Sequence, residues 1–176
     1  MKSVKAIRVL LVNPQDEPIG EEEKLMAHRY AMLHRAFSVL VFREPSNKKD
    51  VLLQQRNLKK YHCGGLWSNT CCSHPGPEEN DLQKTAQSRL LEEMGLAIPL
   101  EEKGVFHYVA AFDNGLYENE IDHVFIGFAK DVPIRINEEE VAAYRWVDVE
   151  FLQQDLIQNP KKYTPWLAQT LRIALD

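Results

Sequence analysis

Long apolar runs are missing from this chain. No stretch approaches the roughly 18 consecutive apolar residues that a membrane-spanning helix needs, so the expectation is a soluble, cytoplasmic protein with no membrane partner. The opening MKSVKAIRVLLVNPQDEP has a basic flank, but charge, Asn and Pro cut its apolar part short and no small-residue cleavage site follows. It reads as a first β-strand. Positive charge is also scarce: 21 Lys and Arg against 26 Asp and Glu leave a net charge of −5. Phosphate backbones are bound mainly through clustered Lys and Arg, which argues against a nucleic-acid partner but leaves room for a small anion held by a local cluster. Cysteine is sparse as well, with Cys63, Cys71 and Cys72 and no CxxC. Adjacent cysteines suit a structural disulfide poorly, and without CxxC a thioredoxin-like site is disfavoured. Internal repeats, low-complexity segments and Gly/Ser linkers are absent too, and 176 residues suit a single domain over 1–176.

What is present is a mixture of strand and helix patterns. IRVLLVN reads as a strand, EEEKLMAHRYAM as a helix or helical turn, and RAFSVLVFRE with VLLQQRN as a β-hairpin around the turn-rich PSNKKD. NDLQKTAQSRLLEEMG is the clearest helix: Asn80 or Asp81 caps it, Leu82, Ala86, Leu90 and Met94 share a face, and Gly95 ends it. GVFHYVAAF, IDHVFIGFAK and VAAYRWVDV follow as strands, then DVEFLQQDLIQN and WLAQTLRIAL as closing helices. The alternation suggests an α/β sandwich around a mixed sheet.

Several polar residues are hard to explain structurally. In YENEIDHVF, Glu118 and Glu120 lie two apart on a strand and project side by side. Two carboxylates that close repel unless a cation sits between them or one is protonated. His28, His34 and His74 flank segments that pack against this sheet, and imidazole with carboxylate is a common ligand set for divalent metals. His28 and His34 are six residues apart and cannot share a helix face; they converge only if the chain turns between them. His62, His107 and His123 read as ordinary surface or core residues. NTCCSHP, over 69–75, can be a redox pair, a metal site, a catalytic thiol or a strand end carrying sulfur.

SRLLEEMGL resembles the Nudix signature helix, whose core reads REUxEExGU with U aliphatic, through Leu90, Glu92, Glu93, Gly95 and Leu96. Ser88 and Arg89 stand where the hydrolases of that superfamily carry Arg and Glu. Exchanging an acidic ligand for a cation weakens the metal cluster that activates water for pyrophosphate cleavage. The chain resembles one branch of the superfamily, the type I isopentenyl diphosphate isomerases, through KLMAHRYAMLHRAFSV, LLQQRNLKK, GGLWSNTCCSHP, YENEIDHVF and YTPW, in order, from about Asn13 to Trp166. The resemblance implies a Nudix-like α/β/α sandwich around a mixed β-sheet.

It also implies a site. Residues matching His28, His34, His74, Glu118 and Glu120 bind one divalent metal, which the donor types leave open between manganese, zinc and magnesium. Residues matching Cys72 and Glu120 are the catalytic pair, and a second metal, magnesium on the substrate diphosphate, takes Glu93 and the Cys72 carbonyl. The implied substrate is a prenyl diphosphate, whose double bond moves when one carbon is protonated and another deprotonated. No carbonyl stabilises a carbanion, so the route runs through a tertiary carbocation and needs an acid, a base and exclusion of water. Tyr108 is placed to relay a proton to Glu120, with Cys72 as the base. Trp166, ahead of Trp67, is expected to face the cation. Lys24, Arg56 and Lys60, with Arg89, are expected on the diphosphate, and Ser68 and Asn69 are candidate donors near the same loop, where a turn role explains them equally well. On this reading Cys71 points into the core and Cys63 has no role.

Overall fold

A computed structural model of the chain describes residues 7–176. The first six residues, which include most of the basic flank, lie outside the described part. The chain runs β1 (Arg8–Val12), β2 (Pro18–Glu23), α1 (Lys24–Arg29), β3 (His34–Phe42), β4 (Asp50–Arg56), β5 (Trp67–Ser68), β6 (Cys71–Ser73), α2 (Leu82–Met94), β7 (Glu101–Ala111), β8 (Tyr117–Phe128) and β9 (Val141–Asp148), then α3 (Val149–Gln158), a 3₁₀ turn (Pro160–Lys162) and α4 (Leu167–Leu175).

The centre of the sheet is β3, which pairs in parallel with β8 over its whole length, His34 opposite Glu120 through Phe42 opposite Phe128. The remaining ladders are antiparallel, so the sheet is mixed. Alternation along β3 divides the core. Phe37, Val39 and Val41 join Cys71, Ala86, Leu90 and Met94 beneath α2, whereas Leu40 and Phe42 join Leu152, Leu167 and Leu171 beneath α3 and α4. Helices therefore cover both faces, as the α/β/α expectation requires.

Helix α2 follows its sequence signals. The Asp81 side chain accepts a hydrogen bond from the Lys84 N–H, and Gly95 closes the helix in the left-handed conformation at φ 70°. Ala86, Leu90 and Met94 are fully buried. Two segments depart from expectation. Glu21–Glu23 were assigned to a helix, but they pair with Arg8–Leu10 as strand β2, which leaves α1 only Lys24–Arg29. Strands β3 and β4 do form a hairpin, but only at its tip, through Val41–Leu52 and Phe42–Val51. Beyond it β6 occupies the edge of β3 and β5 the facing edge of β4, so the two strands splay around the 67–73 segment, where Thr70 bridges Val41 and Leu52, and a cleft lies beside this wedge, lined by Ser38, Cys72 and Glu120.

Candidate active site

Strand register assembles the centre of this cleft. Glu120 lies between His34 on the parallel side and Tyr108 on the antiparallel side. One strand away, Cys72 is paired with Ser38, so alternation sends Cys72 toward the cleft and Cys71 into the core, where it is fully buried. Between His28 and His34 the chain reverses, with α1 ending at Arg29 and Ala31 in the left-handed region at φ 50°. That turn brings the two rings to a centroid distance of 4.9 Å.

His28, His34, His74, Glu118 and Glu120 each present a ligand atom to one point, all within 4.8 Å of one another. The rings are pre-oriented. Nδ1–H of His28 donates to the Lys24 carbonyl at 2.6 Å and Nδ1–H of His34 to the Met32 carbonyl at 2.7 Å, which turns both Nε2 lone pairs inward. Nε2 of His28 is 3.1 Å from Glu118 Oε2, and Nε2 of His34 is 3.3 Å from Glu120 Oε1. Among the described residues, both of these Nε2 atoms and Glu118 Oε2 are buried and make no aligned hydrogen bond. Converging, desolvated lone pairs of three imidazoles and two carboxylates fit a divalent cation.

The charges in this cluster are frustrated as the sequence argument requires. Burial, reinforced by the neighbouring Glu120, pushes the Glu118 carboxyl up to about 7. Burial also opposes ionisation of Glu120, but His74 and His34 outweigh it and hold that carboxyl well below the ordinary range. Against its own burial, His34 is raised by its contacts with Glu120, whereas burial drives His74 well below the ordinary imidazole value. Glu120 Oε1 thus sits between two imidazoles, 3.3 Å from His34 Nε2 and 2.6 Å from His74 Nε2.

Cys72, Tyr108, Glu120 and Trp166 line one cavity of about 380 Å³, within the size range of small-molecule sites. Tyr108 donates its hydroxyl hydrogen to Glu120 Oε2 at 2.5 Å. Burial pushes Tyr108 well above its ordinary value, and burial, only partly offset by Arg56, pushes the Cys72 thiol up to about 12. At neutral pH the thiol and the phenol carry protons and Glu120 does not. Trp166 is 3% exposed, and its Nε1–H donates to Asn69 Oδ1 at 2.9 Å, which fixes the ring as one wall of the cavity.

The four expected cations gather on this cavity. Arg56 reaches Cys72 Sγ at 3.5 Å and stands over the Trp166 ring at 5.6 Å. Lys24, its pKa lowered by burial and by Lys60, lines the same wall. Lys60 pairs with Glu140, and Arg89 lies 3.9 Å from that carboxylate. Arg89 also binds Glu93 Oε1 at 2.7 Å, while Gln54 donates to Glu93 Oε2 at 3.0 Å, so both oxygens of Glu93 are engaged within the chain.

Some readings need correction. Trp67 lies under the Arg145 guanidinium, 4.0 Å away, and packs with the α3 and α4 core, outside the cavity. Ser68 and Asn69 are fully buried structural residues: Ser68 Oγ donates to Asn69 Oδ1, and Asn69 Nδ2 donates to the Cys71 carbonyl at 2.6 Å. His62 is no ordinary core histidine, because its Nε2 is 2.6 Å from Glu118 Oε1. It lies in the irregular 57–66 segment, where no period assigns a side-chain direction. Ser38 and Asp122 were also missed: Ser38 Oγ donates to Asp122 Oδ2 at 2.7 Å just below Glu120 on the same strand face.

The NUDIX domain family matches residues 32–167. The chain is 44% identical over 162 residues to the isopentenyl-diphosphate Delta-isomerase of Pectobacterium atrosepticum, covering 92% of this chain and 88% of that protein. With the enzyme of the same name from Photobacterium profundum the identity is 43% over 171 residues, covering 96% and 94%. Among solved structures, a Deinococcus radiodurans protein superposes with a TM-score of 0.74 at 15% identity, covering 94% of this chain and 97% of its own. The MutT protein of Methanosarcina mazei follows the same fold with a TM-score of 0.63 at 17% identity, covering 81% and 94%.

Proposed function

The chain belongs to the isopentenyl-diphosphate Delta-isomerase family within the NUDIX proteins, and from that membership we infer the chemistry of its cavity. The protein is an isomerase that interconverts isopentenyl and dimethylallyl diphosphates, supplying isoprenoid precursors. Proton transfer takes place between Cys72 on one side of the prenyl tail and the Glu120–Tyr108 pair on the other. The observation that carries this reading is that the thiol, the carboxylate with its phenol, and a buried tryptophan ring face the same 380 Å³ cavity.

In the forward direction the Glu120–Tyr108 side adds a proton to the terminal methylene, which leaves a tertiary cation at C3, and Cys72 removes a proton from C2. The electron pair of the old double bond forms the new C–H bond, and that of the C2–H bond forms the new double bond. Trp166 presents its π-face to the cation, an attraction worth about 2 kcal/mol or more in a desolvated site. The proton positions at rest favour a second reading of the order: Cys72 carries its proton and Glu120 does not, so the thiol acts as acid and the carboxylate as base. Both orders use the same two groups.

His28, His34, His74, Glu118 and Glu120 would hold a divalent cation, which would supply the positive charge that lets both carboxylates stay ionised in a buried site. The His-rich donor set suits manganese or zinc, and magnesium accompanies the diphosphate. Lys24, Arg56 and Lys60 receive the diphosphate. Glu93 and the Cys72 carbonyl would hold that magnesium, with Arg89, bound to Glu93 at 2.7 Å, among the cations lining the cavity. The same Arg89–Glu93 contact argues against hydrolysis, because it puts a guanidinium on the helix where water activation needs acidic ligands. A cytoplasmic setting suits this assignment, since Cys72 must remain a free thiol.

Incubation of the purified protein with isopentenyl diphosphate and a divalent metal tests the reading. Dimethylallyl diphosphate forms without release of phosphate, and Cys72→Ala abolishes it. Phosphate release that survives Cys72→Ala contradicts it.

A further inference from the structure

His62 stands apart from the five converging ligands, yet it touches the site in three ways. Its Nε2 lies 2.6 Å from Oε1 of Glu118, the carboxylate oxygen turned away from His28 and His34, whose Nε2 atoms approach Oε2 at 3.1 and 3.8 Å. Its backbone carbonyl accepts a hydrogen bond from Arg56 Nη2 at 3.4 Å, and the other terminal nitrogen of Arg56 reaches Cys72 Sγ. Its ring is sandwiched, with Phe112 stacked at 5.2 Å and 25° and His28 tilted at 5.4 Å. A ring gripped this way has one orientation to offer. The segment that carries it is equally constrained: Gly65 is left-handed at φ 80°, and a Cβ on Gly64 would lie 2.8 Å from the Leu58 carbonyl oxygen.

The two oxygens of Glu118 are therefore divided between tasks. Oε2 faces the cluster and Oε1 lies against His62 Nε2 at 2.6 Å. A carboxylate free to rotate can offer either oxygen or both, whereas one tethered through Oε1 presents a single oxygen in a fixed direction. Partners that fix a ligand in this way commonly change metal affinity about 10–100-fold when removed. The same residue carries Arg56 on its carbonyl, and Lys60 lies two positions earlier in the segment, so the tether joins the metal centre to the groups assigned to the diphosphate.

We propose that His62 is a positioning residue that restrains the Glu118 carboxylate beside the metal-binding cluster and couples metal binding to the diphosphate-binding segment. The proposal rests on the metal and diphosphate assignments made above. Metal binding in the absence of substrate tests it independently of catalysis, by competition of the purified protein with a chromophoric chelator for manganese and for zinc. His62→Leu lowers the affinity at least 10-fold, and His62→Gln, which keeps an N–H to offer Glu118, recovers most of the loss. In turnover assays His62→Leu raises KM for isopentenyl diphosphate by a larger factor than it lowers kcat at saturating metal. Where His62→Leu fails to fold, His62→Gln compared with His62→Glu, which sets a carboxylate against Glu118, gives the same contrast. Metal affinity within twofold of wild type in His62→Leu, or in His62→Glu where that variant is used, overturns the proposal whether or not the protein proves to be an isomerase. A loss that His62→Gln does not restore also overturns it, because bulk packing rather than the tether is then responsible.

Discussion

Tyr108 and Glu120 are register partners across the β7–β8 ladder, and the Tyr108 hydroxyl donates to Glu120 Oε2 at 2.5 Å. The other oxygen of Glu120 faces His34 and His74. One carboxylate thus joins the His/Glu cluster to the side of the cavity where the proposed chemistry places proton transfer. Removing the phenol leaves the cluster intact but takes away the proton shared with Oε2. Tyr108→Phe is expected to lower kcat about 10²-fold, the low end for a general acid–base partner, with metal content unchanged. Steady-state kinetics with metal analysis of the same samples checks both halves.

The order of proton transfer is open to a partial-reaction experiment. A variant that keeps only the acid can still protonate the terminal methylene and take a hydrogen back, exchanging label with heavy water without isomerisation. With the Glu120 side as acid, Cys72→Ala retains this exchange and Glu120→Gln loses it. With Cys72 as acid, the pattern reverses. Magnetic resonance of recovered isopentenyl diphosphate reads the label directly.

Glu118 gives the metal-free protein a pH signature. Its carboxyl is raised from 4.5 to about 7 by burial and by Glu120, so the folded state binds more protons than the unfolded state in that interval. The stability contributed by this group then falls as pH rises from about 4.5 to about 7. His34, raised by its contacts with Glu120, adds stability below its ordinary value of 6.5 that is lost as pH rises through its folded value. His74 and His62, held by burial below the ordinary imidazole value, contribute in the opposite sense below about pH 6.5, so the test is a difference: in chelator-treated protein the Tm advantage of wild type over Glu118→Gln should shrink as pH rises from about 4.5 to about 7. Bound metal needs ionised carboxylates, so the stabilisation it gives should grow with pH across the same window.

Trp166 is held by Asn69 with its ring against the cavity that Tyr108 and Arg56 also line. If its π-face stabilises the cation by about 2 kcal/mol, Trp166→Leu lowers kcat by about 30-fold while Trp166→Phe retains a substantial part of the activity. Comparison of kcat in the two variants, with KM for isopentenyl diphosphate as control, separates this from loss of packing.

Much of this site was legible before any coordinates. Alternation placed Glu118 beside Glu120 and sent Cys72 and Cys71 to opposite faces, because a strand period is short and rigid. Spacing alone said that His28 and His34 could converge only across a turn, and the family resemblance said that they converge. His62 was lost for the opposite reason, since the 57–66 segment has no period from which a direction can be read. The Glu21–Glu23 strand was mistaken for helix because a run of glutamates favours helix locally, and only the ladder with Arg8–Leu10 overrides that preference. The YTPW match already sets Trp166 ahead of Trp67. That Trp166 lines the cavity while Trp67 lies under Arg145 depends on contacts between segments distant in sequence.

The central claim is that hydrogen moves between carbons across this cavity while the diphosphate stays whole. The most direct measurement is the reaction of isopentenyl diphosphate with the wild-type protein and a divalent metal in heavy water, followed by isotope analysis of the product at low conversion. The account predicts dimethylallyl diphosphate with one solvent deuterium in the newly formed methyl group and both phosphates retained. Product without solvent label, or phosphate released in place of isomerisation, would contradict it.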